Sequence, residues 1–409
     1  IMSGAAPAGA LPFTPAEPSL AALAALQART SALGLGADDI ATVCWTSGTE
    51  GIPKGVPRSH NHWLAISWGH LDGAGIRPRE ALLNPFPLVN MAALGGCFMS
   101  WLRSAGTLLL HHPLDLGVYL KQIAQDRPQY AIAPPAVLNM LLQDEKLLAM
   151  TDLSSLRCIG SGSAPLDPAM IRGFRDRFGI EIVNNFGSNE GMSIVSGANE
   201  APDPELRATL FPRFGRPDIQ WPQRIASMIE TRIVDTETGS EILGAGRPGE
   251  MQIRGPMVFD GYFRAPKLTA AAFTQDGYFR TGDLFEIAGE GDLNRYYRFV
   301  GRLKQLIVRG GVKIAPEEIE AVLVRHALIA EASAIGYRDA VMGERICAVV
   351  VPAQQGVEVS LREVQDLFRD AGMAVFKCPE RIRFVEKLPR NAVGKVVRSE
   401  LVALAESPD

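Results

Sequence analysis

The sequence predicts a large layered α/β domain, a β-rich subdomain after it, and a small α+β domain at the C-terminus. Three observations carry this expectation. Strand-like and helix-like runs alternate between residues 107 and 185. From Ala226 the pattern turns to short strands around turn residues. Near Gly301 the composition shifts again, and the remaining stretch mixes both kinds of element. With 409 residues, 47% of them hydrophobic, the chain can fill two or three domain cores.

Taken in order, residues 1–30 are rich in Ala and Pro and read as a linker or lead-in. The apolar run 41–45 reads as a buried strand, and 60–71 as a helix. Residues 107–111 are strand-like. Asp115 can cap a helix that ends before Pro128, and 130–133 is the next strand. A strand at 157–160 runs into a Gly/Ser-rich loop at 160–165. Asp167 caps a helix with Pro168 at its first position and Gly179 just past its end, and a strand follows at 181–185. Such alternation implies parallel strand pairs with ligands at their carboxyl ends.

Beyond Ala226, strands are expected at 228–234, 251–254 and 294–300. In the C-terminal stretch, Pro316, Glu317 and Glu318 open a helix with Ile319, Val322 and Leu323 on one face. Strands are expected at 331–336, 346–351 and 381–385, and Ser360 with Glu363 forms a capping box.

Composition excludes several function classes. There are 45 acidic and 41 basic residues, a formal charge of −4, so nothing favours nucleic acid or an anionic membrane as partner. The five cysteines are scattered, without a C-x-x-C pair, and read as buried free thiols of a reducing cytoplasm. The six histidines show no metal-ligand spacing. The longest apolar candidate, 91–102, is broken by glycines and a serine and is too short to span a bilayer, and no secretory signal is visible.

The stretch 46–55 follows the first strand and concentrates hydroxyls, glycines and a lysine. Glycines let a backbone approach a ligand, and successive N–H groups can cradle an anion. Thr46, Ser47, Gly48, Thr49 and Lys54 therefore read as a phosphate-holding turn. It is not a Walker loop. Counted from Gly48, Pro53 stands where the second glycine belongs, and Gly55 stands where a Ser or Thr must follow Lys54.

Four further stretches complete a pattern: Asn185-Phe186-Gly187-Ser188-Asn189-Glu190, Phe279-Arg280-Thr281-Gly282-Asp283, Gly301-Arg302 through Lys304 to Gly310-Gly311 and Glu317, and Pro389 through Gly394-Lys395. Together with the phosphate turn, in this order, they resemble the adenylate-forming superfamily of acyl-CoA synthetases, nonribosomal peptide synthetase adenylation domains and firefly luciferase. The resemblance runs from Thr46 to Lys395. It implies the adenylate-forming fold, with an AMP-binding domain at 1–301, a hinge at 302–305 around Lys304, and a mobile C-terminal domain at 306–409.

The resemblance also assigns roles. Thr46, Ser47, Gly48, Thr49 and Lys54 would serve the ATP phosphates, with Ser163, Ala164, Asn185, Phe186, Gly187, Ser188 and Asn189 lining the nucleotide. Phe186 would stack on adenine and Glu190 would hold Mg²⁺. Asp283 and Arg302 would take the ribose hydroxyls. Lys395 would be the catalytic lysine of adenylation. Gly310 and Gly311 would face the thiol of CoA or of a carrier protein's phosphopantetheine. Asn90, Met91, Gly95, Gly162 and Met192 would line an acyl pocket, apolar in character and without an acidic residue for a substrate amine.

Three departures from the family pattern stand out. Glu50 replaces a common Thr, and is expected to point away from triphosphate or to pair with a cation. Asn189 replaces Thr, and Asn90 a nearby His. Relatives also carry considerably more chain before the phosphate turn, so an N-terminal truncation is expected. The function so implied is an ATP-dependent acid–thiol ligase that makes acyl-AMP and transfers the acyl group to CoA. Its partners would be ATP, Mg²⁺, CoA and a medium-chain, alicyclic or aromatic acid, with room for a homodimer. A carrier-loading acyl- or aryl-AMP ligase and a nucleotide-binding, non-catalytic relative are the alternatives.

Overall fold

The computed structural model describes residues 19–46, 53–89, 91–149, 151–162, 166–191, 193–354, 356, 359–390 and 396–407. Of the residues singled out above, Ser47, Gly48, Thr49, Glu50, Asn90, Ser163, Ala164, Met192 and Lys395 lie outside these. The chain divides into two compact units: residues 1–232 with 252–281, and 233–251 with 282–409.

The first unit opens with a helix at Leu20–Ala32, capped by Ser19, within the stretch expected to be linker. None of its residues is buried. Strands β1 (Ile40–Thr46) and β2 (Lys54–Ser59) form an antiparallel two-stranded sheet, with Thr46 opposite Lys54. The expectation of a buried strand at 41–45 is therefore corrected: of β1 only Cys44 is buried. An apolar run records affinity for a neighbour, but pairing on one side and open solvent on the other leaves Trp45 exposed.

Six strands build the main sheet of this unit: β3 (Ala81–Asn84), β4 (Thr107–Leu110), β5 (Tyr130–Ile132), β6 (Cys158–Gly162), β7 (Glu181–Gly187) and β8 (Ser193–Ser196). Their order is β4-β3-β5-β6-β7-β8, parallel throughout except for β8 against β7. Residues alternate between two cores. Leu83, Ala131, Ile159 and Ile182 pack with Tyr119, Leu138, Ile171 and Phe174 of the covering helices. Leu82, Tyr130, Ile132, Cys158 and Val183 face the other way, with Ala74, Cys97 and Val195. Both faces are covered, as parallel sheets require.

The helices follow local sequence signals. Asp115 accepts from the Val118 N–H at 2.9 Å to start Leu116–Asp126. Asp167 accepts from Ala169 at 2.8 Å to start Pro168–Phe178, and Gly179, at φ 67°, ends it. The helix His60–Gly73 is capped by Ser59, and β9 (Leu210–Pro212) is wholly buried.

Strands β10 (Glu230–Val234), β11 (Gly249–Arg254), β12 (Phe279–Ile287) and β13 (Tyr296–Arg302) are successive neighbours in one sheet. The second unit contains β14 (Ile307–Arg309), β15 (Val312–Ile314), β16 (Ile329–Asp339), β17 (Gly343–Pro352) and β18 (Arg381–Phe384), in the order β15-β14-β17-β16 with β18 parallel to β17. Ile346, Ala348 and Val350 of β17 face Ile319, Val322 and Phe368 of its helices. Cys347 and Val349 face Leu388, Leu401 and Ala405. The capping box at Ser360 and Glu363 forms as the sequence implies.

Candidate active site

In the first unit, β2 starts at Lys54, at the end of the stretch predicted to hold phosphate, and carries Arg58 inward. Arg58 is fully buried. Its Nη1 donates to the Asn189 carbonyl oxygen at 3.2 Å, and its guanidinium lies 5.1 Å from the Trp63 ring centroid. Burial pulls Arg58 down to about 10, against the opposing pull of Cys44, Glu190 and Asp260. His62, below it on the helix, accepts from the Ser59 N–H through Nδ1 at 3.0 Å, with Nε2 3.6 Å from Asp260. Burial, then Arg58, lowers its basicity.

The β7 strand delivers the second predicted stretch. Phe186 is half-buried at its end, edge-on to Phe211 at 5.4 Å. Gly162 on β6 runs beside it so closely that a Cβ there would lie 2.0 Å from the Asn185 carbonyl oxygen. Among the described residues, Asn185 Oδ1 and Ser188 Oγ are buried without a hydrogen-bond partner. Polar atoms left so are available to a bound group. Asn189 turns its Oδ1 to the Met91 N–H at 2.9 Å, tying the predicted nucleotide stretch to the predicted acyl stretch. Met91 is buried. A Cβ at Gly95 would meet Ile66 Cγ2 at 2.7 Å and Met91 Sδ at 3.1 Å, so this stretch packs tightly on the helix His60–Gly73.

Glu190 and Lys54 meet at one residue that sequence reasoning missed. The Tyr262 hydroxyl donates to Glu190 Oε1 at 3.2 Å, and Lys54 Nζ lies 5.2 Å from the Tyr262 ring centroid. Desolvation, then Glu190, raises the Tyr262 hydroxyl above its ordinary range. Gly191, at φ 114°, allows the chain to turn away, and a Cβ there would strike the Met257 carbonyl oxygen at 2.0 Å. Neither Arg58 nor Tyr262 belongs to the stretches that carry the resemblance.

Among the described residues no cluster of three or more His, Cys, Asp or Glu could hold a metal. A lone carboxylate still suits Mg²⁺, which takes one or two protein oxygens and fills its octahedron with water and phosphate oxygens. Glu190, half-buried and anchored through one oxygen, fits that donor set.

In the second unit, Asp283 and Arg302 are cross-strand partners on β12 and β13. Arg302 Nε lies 3.0 Å from Asp283 Oδ1, with the carboxylate buried and the guanidinium partly exposed. The Gly282 N–H donates to Glu250 Oε1 at 3.2 Å. Lys304 is exposed on a 3₁₀ turn, Leu303–Gln305. Gly310 and Gly311 form the two-residue turn between β14 and β15, at φ 57° and 80°. Two successive positive φ angles are what a tight hairpin asks of its turn residues. Gly301 lies against Glu317, whose carboxylate takes Arg398 at 3.3 Å. Flanking residues 391–395, Arg390 and Val396 form an antiparallel bridge.

The mixed α/β architecture matches that of adenylate-forming enzymes with a C-terminal domain. Residues 10–263 match the model of the AMP-binding enzyme family, and 318–395 that of the AMP-binding enzyme C-terminal domain. The chain belongs to the AMP-binding enzyme family, a family of adenylate-forming ligases.

It is 32% identical over 371 residues to Triostin synthetase I of Streptomyces triostinicus, covering 90% of this chain and 66% of that protein. It is 34% identical over 369 residues to the medium-chain fatty-acid–CoA ligase of Escherichia coli (strain K12), covering 90% and 61%. A crystal structure of ATP-bound MatB from Rhodopseudomonas palustris superposes with a TM-score of 0.77 at 29% identity, covering 91% of this chain and 69% of that one. The chain thus spans just under two thirds of the length of these two curated relatives. Among the described residues, no helix is long and apolar enough to cross a membrane.

Proposed function

We propose that this protein is an ATP-dependent acid–thiol ligase that activates a carboxylic acid as acyl-AMP and passes the acyl group to CoA. The observation that carries this reading is the meeting of Lys54 and Glu190 on Tyr262. A phosphate-seeking cation and a metal-seeking carboxylate, remote in sequence, are held at one aromatic ring.

In the first step a carboxylate oxygen attacks the α-phosphorus and pyrophosphate leaves. Lys54 and the phosphate turn hold the β- and γ-phosphates. Phe186 offers a flat apolar face to adenine, and Asp283, paired with Arg302, accepts from the ribose hydroxyls. Mg²⁺ held by Glu190 would supply charge neutralisation across the phosphates. Lys395 stabilises the charge that develops as pyrophosphate departs. In the second step the thiolate attacks the acyl carbon of the anhydride, AMP leaves, and the thiol proton passes to solvent. The residues 302–305 act as the hinge between the two steps, and Gly310-Gly311 meets the thiol arm. Buried Met91 and closely packed Gly95 favour an apolar acid.

Incubation with ATP, Mg²⁺ and a panel of medium-chain, alicyclic and aromatic acids should yield pyrophosphate, with AMP release dependent on CoA. AMP release that requires a phosphopantetheine carrier protein would replace CoA as acceptor, and absence of pyrophosphate with every acid would leave a nucleotide-binding relative. Lys395→Ala is expected to stop adenylation, by roughly the 10²- to 10³-fold typical of a lost transition-state contact, while sparing thioester formation from supplied acyl-AMP. Loss of both steps would remove the assigned role.

A further inference from the structure

Tyr262 belongs to the segment Phe259–Phe263, which grips both Glu190 and the strand that starts at Lys54. The grip is double at each. The Phe259 N–H donates to the Glu190 carbonyl oxygen at 2.9 Å, and the Phe263 N–H to the Gly55 carbonyl oxygen at 2.9 Å. The Tyr262 hydroxyl then takes the Glu190 carboxylate, and its ring lies beside the Lys54 ammonium. Edge contact with Phe259, at 4.9 Å and 73°, fixes the ring itself. Arg58 holds the preceding carbonyl oxygen, that of Asn189, so two successive carbonyls of the backbone that carries Glu190 are tied down.

A carboxylate on a two-carbon stem could otherwise swing toward a neighbouring cation such as Lys54, and each charge would be spent on the other. Among the described residues Lys54 and Glu190 make no ion pair with each other; the phenol stands at both. One Glu190 oxygen is engaged by a neutral donor, which orients the group without cancelling its charge. Outer-shell partners of this kind commonly set metal affinity.

We infer that Tyr262 is a positioning residue that orients Glu190 apart from Lys54, and so sets the affinity of the site for a complex of divalent cation and nucleoside triphosphate. The inference rests on the metal role proposed for Glu190. Tyr262→Phe removes the hydroxyl and keeps the ring beside Lys54. In the full chain, the Mg²⁺ concentration for half-maximal pyrophosphate formation should rise about tenfold, the low end for loss of an outer-shell partner. Binding of AMP in chelator, followed by calorimetry, should not change. On a Glu190→Gln background Tyr262→Phe should have no further effect on either readout.

An unchanged Mg²⁺ requirement in Tyr262→Phe, beside a weakened one in Glu190→Gln, would overturn the positioning role alone. So would additive effects in the double variant, or equal loss of AMP binding, which would mark a general structural role. A Glu190→Gln protein with unaltered metal dependence would instead remove the metal assignment beneath the inference.

Discussion

Glu200 and His70 are among the ionisable groups that the first unit buries. Glu200 is buried, with its carboxylate taking the Gly197 N–H at 2.8 Å, and desolvation pushes it up to about 7. His70 is buried too, with neither ring nitrogen partnered among the described residues, and desolvation pulls it down to about 4. The two act in opposite senses. A carboxyl raised in the folded state favours stability at low pH and loses it as pH climbs to about 7. An imidazole lowered in the folded state favours stability above its ordinary 6.5 and loses it as pH falls toward 4. Between about 4.5 and 6.5 the contributions oppose, at about 1.4 kcal/mol per pH unit each. Glu200→Gln should therefore leave the His70 contribution uncovered. Relative to the parent, the variant's melting temperature should climb more steeply with pH across that window, and thermal melts at half-unit steps would show it. Parallel profiles would mean that Glu200 is already ionised in the fold.

At the scale of elements, close backbone approach decides which residues are tolerated. β6 is closely flanked on both sides: a Cβ at Gly160 would meet Tyr130 Oη of β5 at 2.3 Å, and one at Gly162 the Asn185 carbonyl oxygen of β7 at 2.0 Å. The second contact is with backbone, which cannot swing aside as a side chain can. Gly162→Ala should cost about 1–3 kcal/mol, the range for overpacking, and should displace Asn185 and Phe186. Chemical denaturation would give the first number, and nucleotide binding should weaken alongside it; a neutral substitution would show that the strands can part freely. Helix ends were legible in the sequence because they are local. Asp115, Asp167 and Ser360 each cap the helix they precede through an N–H two or three residues away. The setting of 41–45 was not legible, because what covers a strand is decided by segments distant in sequence. The helix at Leu20–Ala32 was hidden for a related reason: an alanine-rich segment can be helical without burying a face.

At the scale of the whole molecule, the chain falls into two compact units, and Lys304 lies inside the second. A rotation at 302–305 would carry only the part of that unit that follows it. Lys304→Pro should then spare adenylation and slow the thiol step, because proline fixes one of the few dihedrals a hinge has to turn. Pyrophosphate release and thioester formation, measured separately on the same preparation, check this, and unchanged turnover would remove the hinge.

Five separated stretches were enough to place the chain in its family, since phosphate turns, strand-end aromatics and lone carboxylates depend on residue type and order, which a sequence displays directly. The structure sets Asp283 and Arg302, which the resemblance gives one shared role, opposite each other on β12 and β13. Tyr262 and Arg58 came from the tertiary structure alone. A phenol after a glycine and an arginine near the end of a short strand have no distinguishing pattern. They matter because folding closes β2, the Glu190 turn and the Phe259–Phe263 segment around one another. Sequence settled which groups the protein holds; packing over long separations settled which of them touch, since contact depends on loop closure and on burial shared between distant segments.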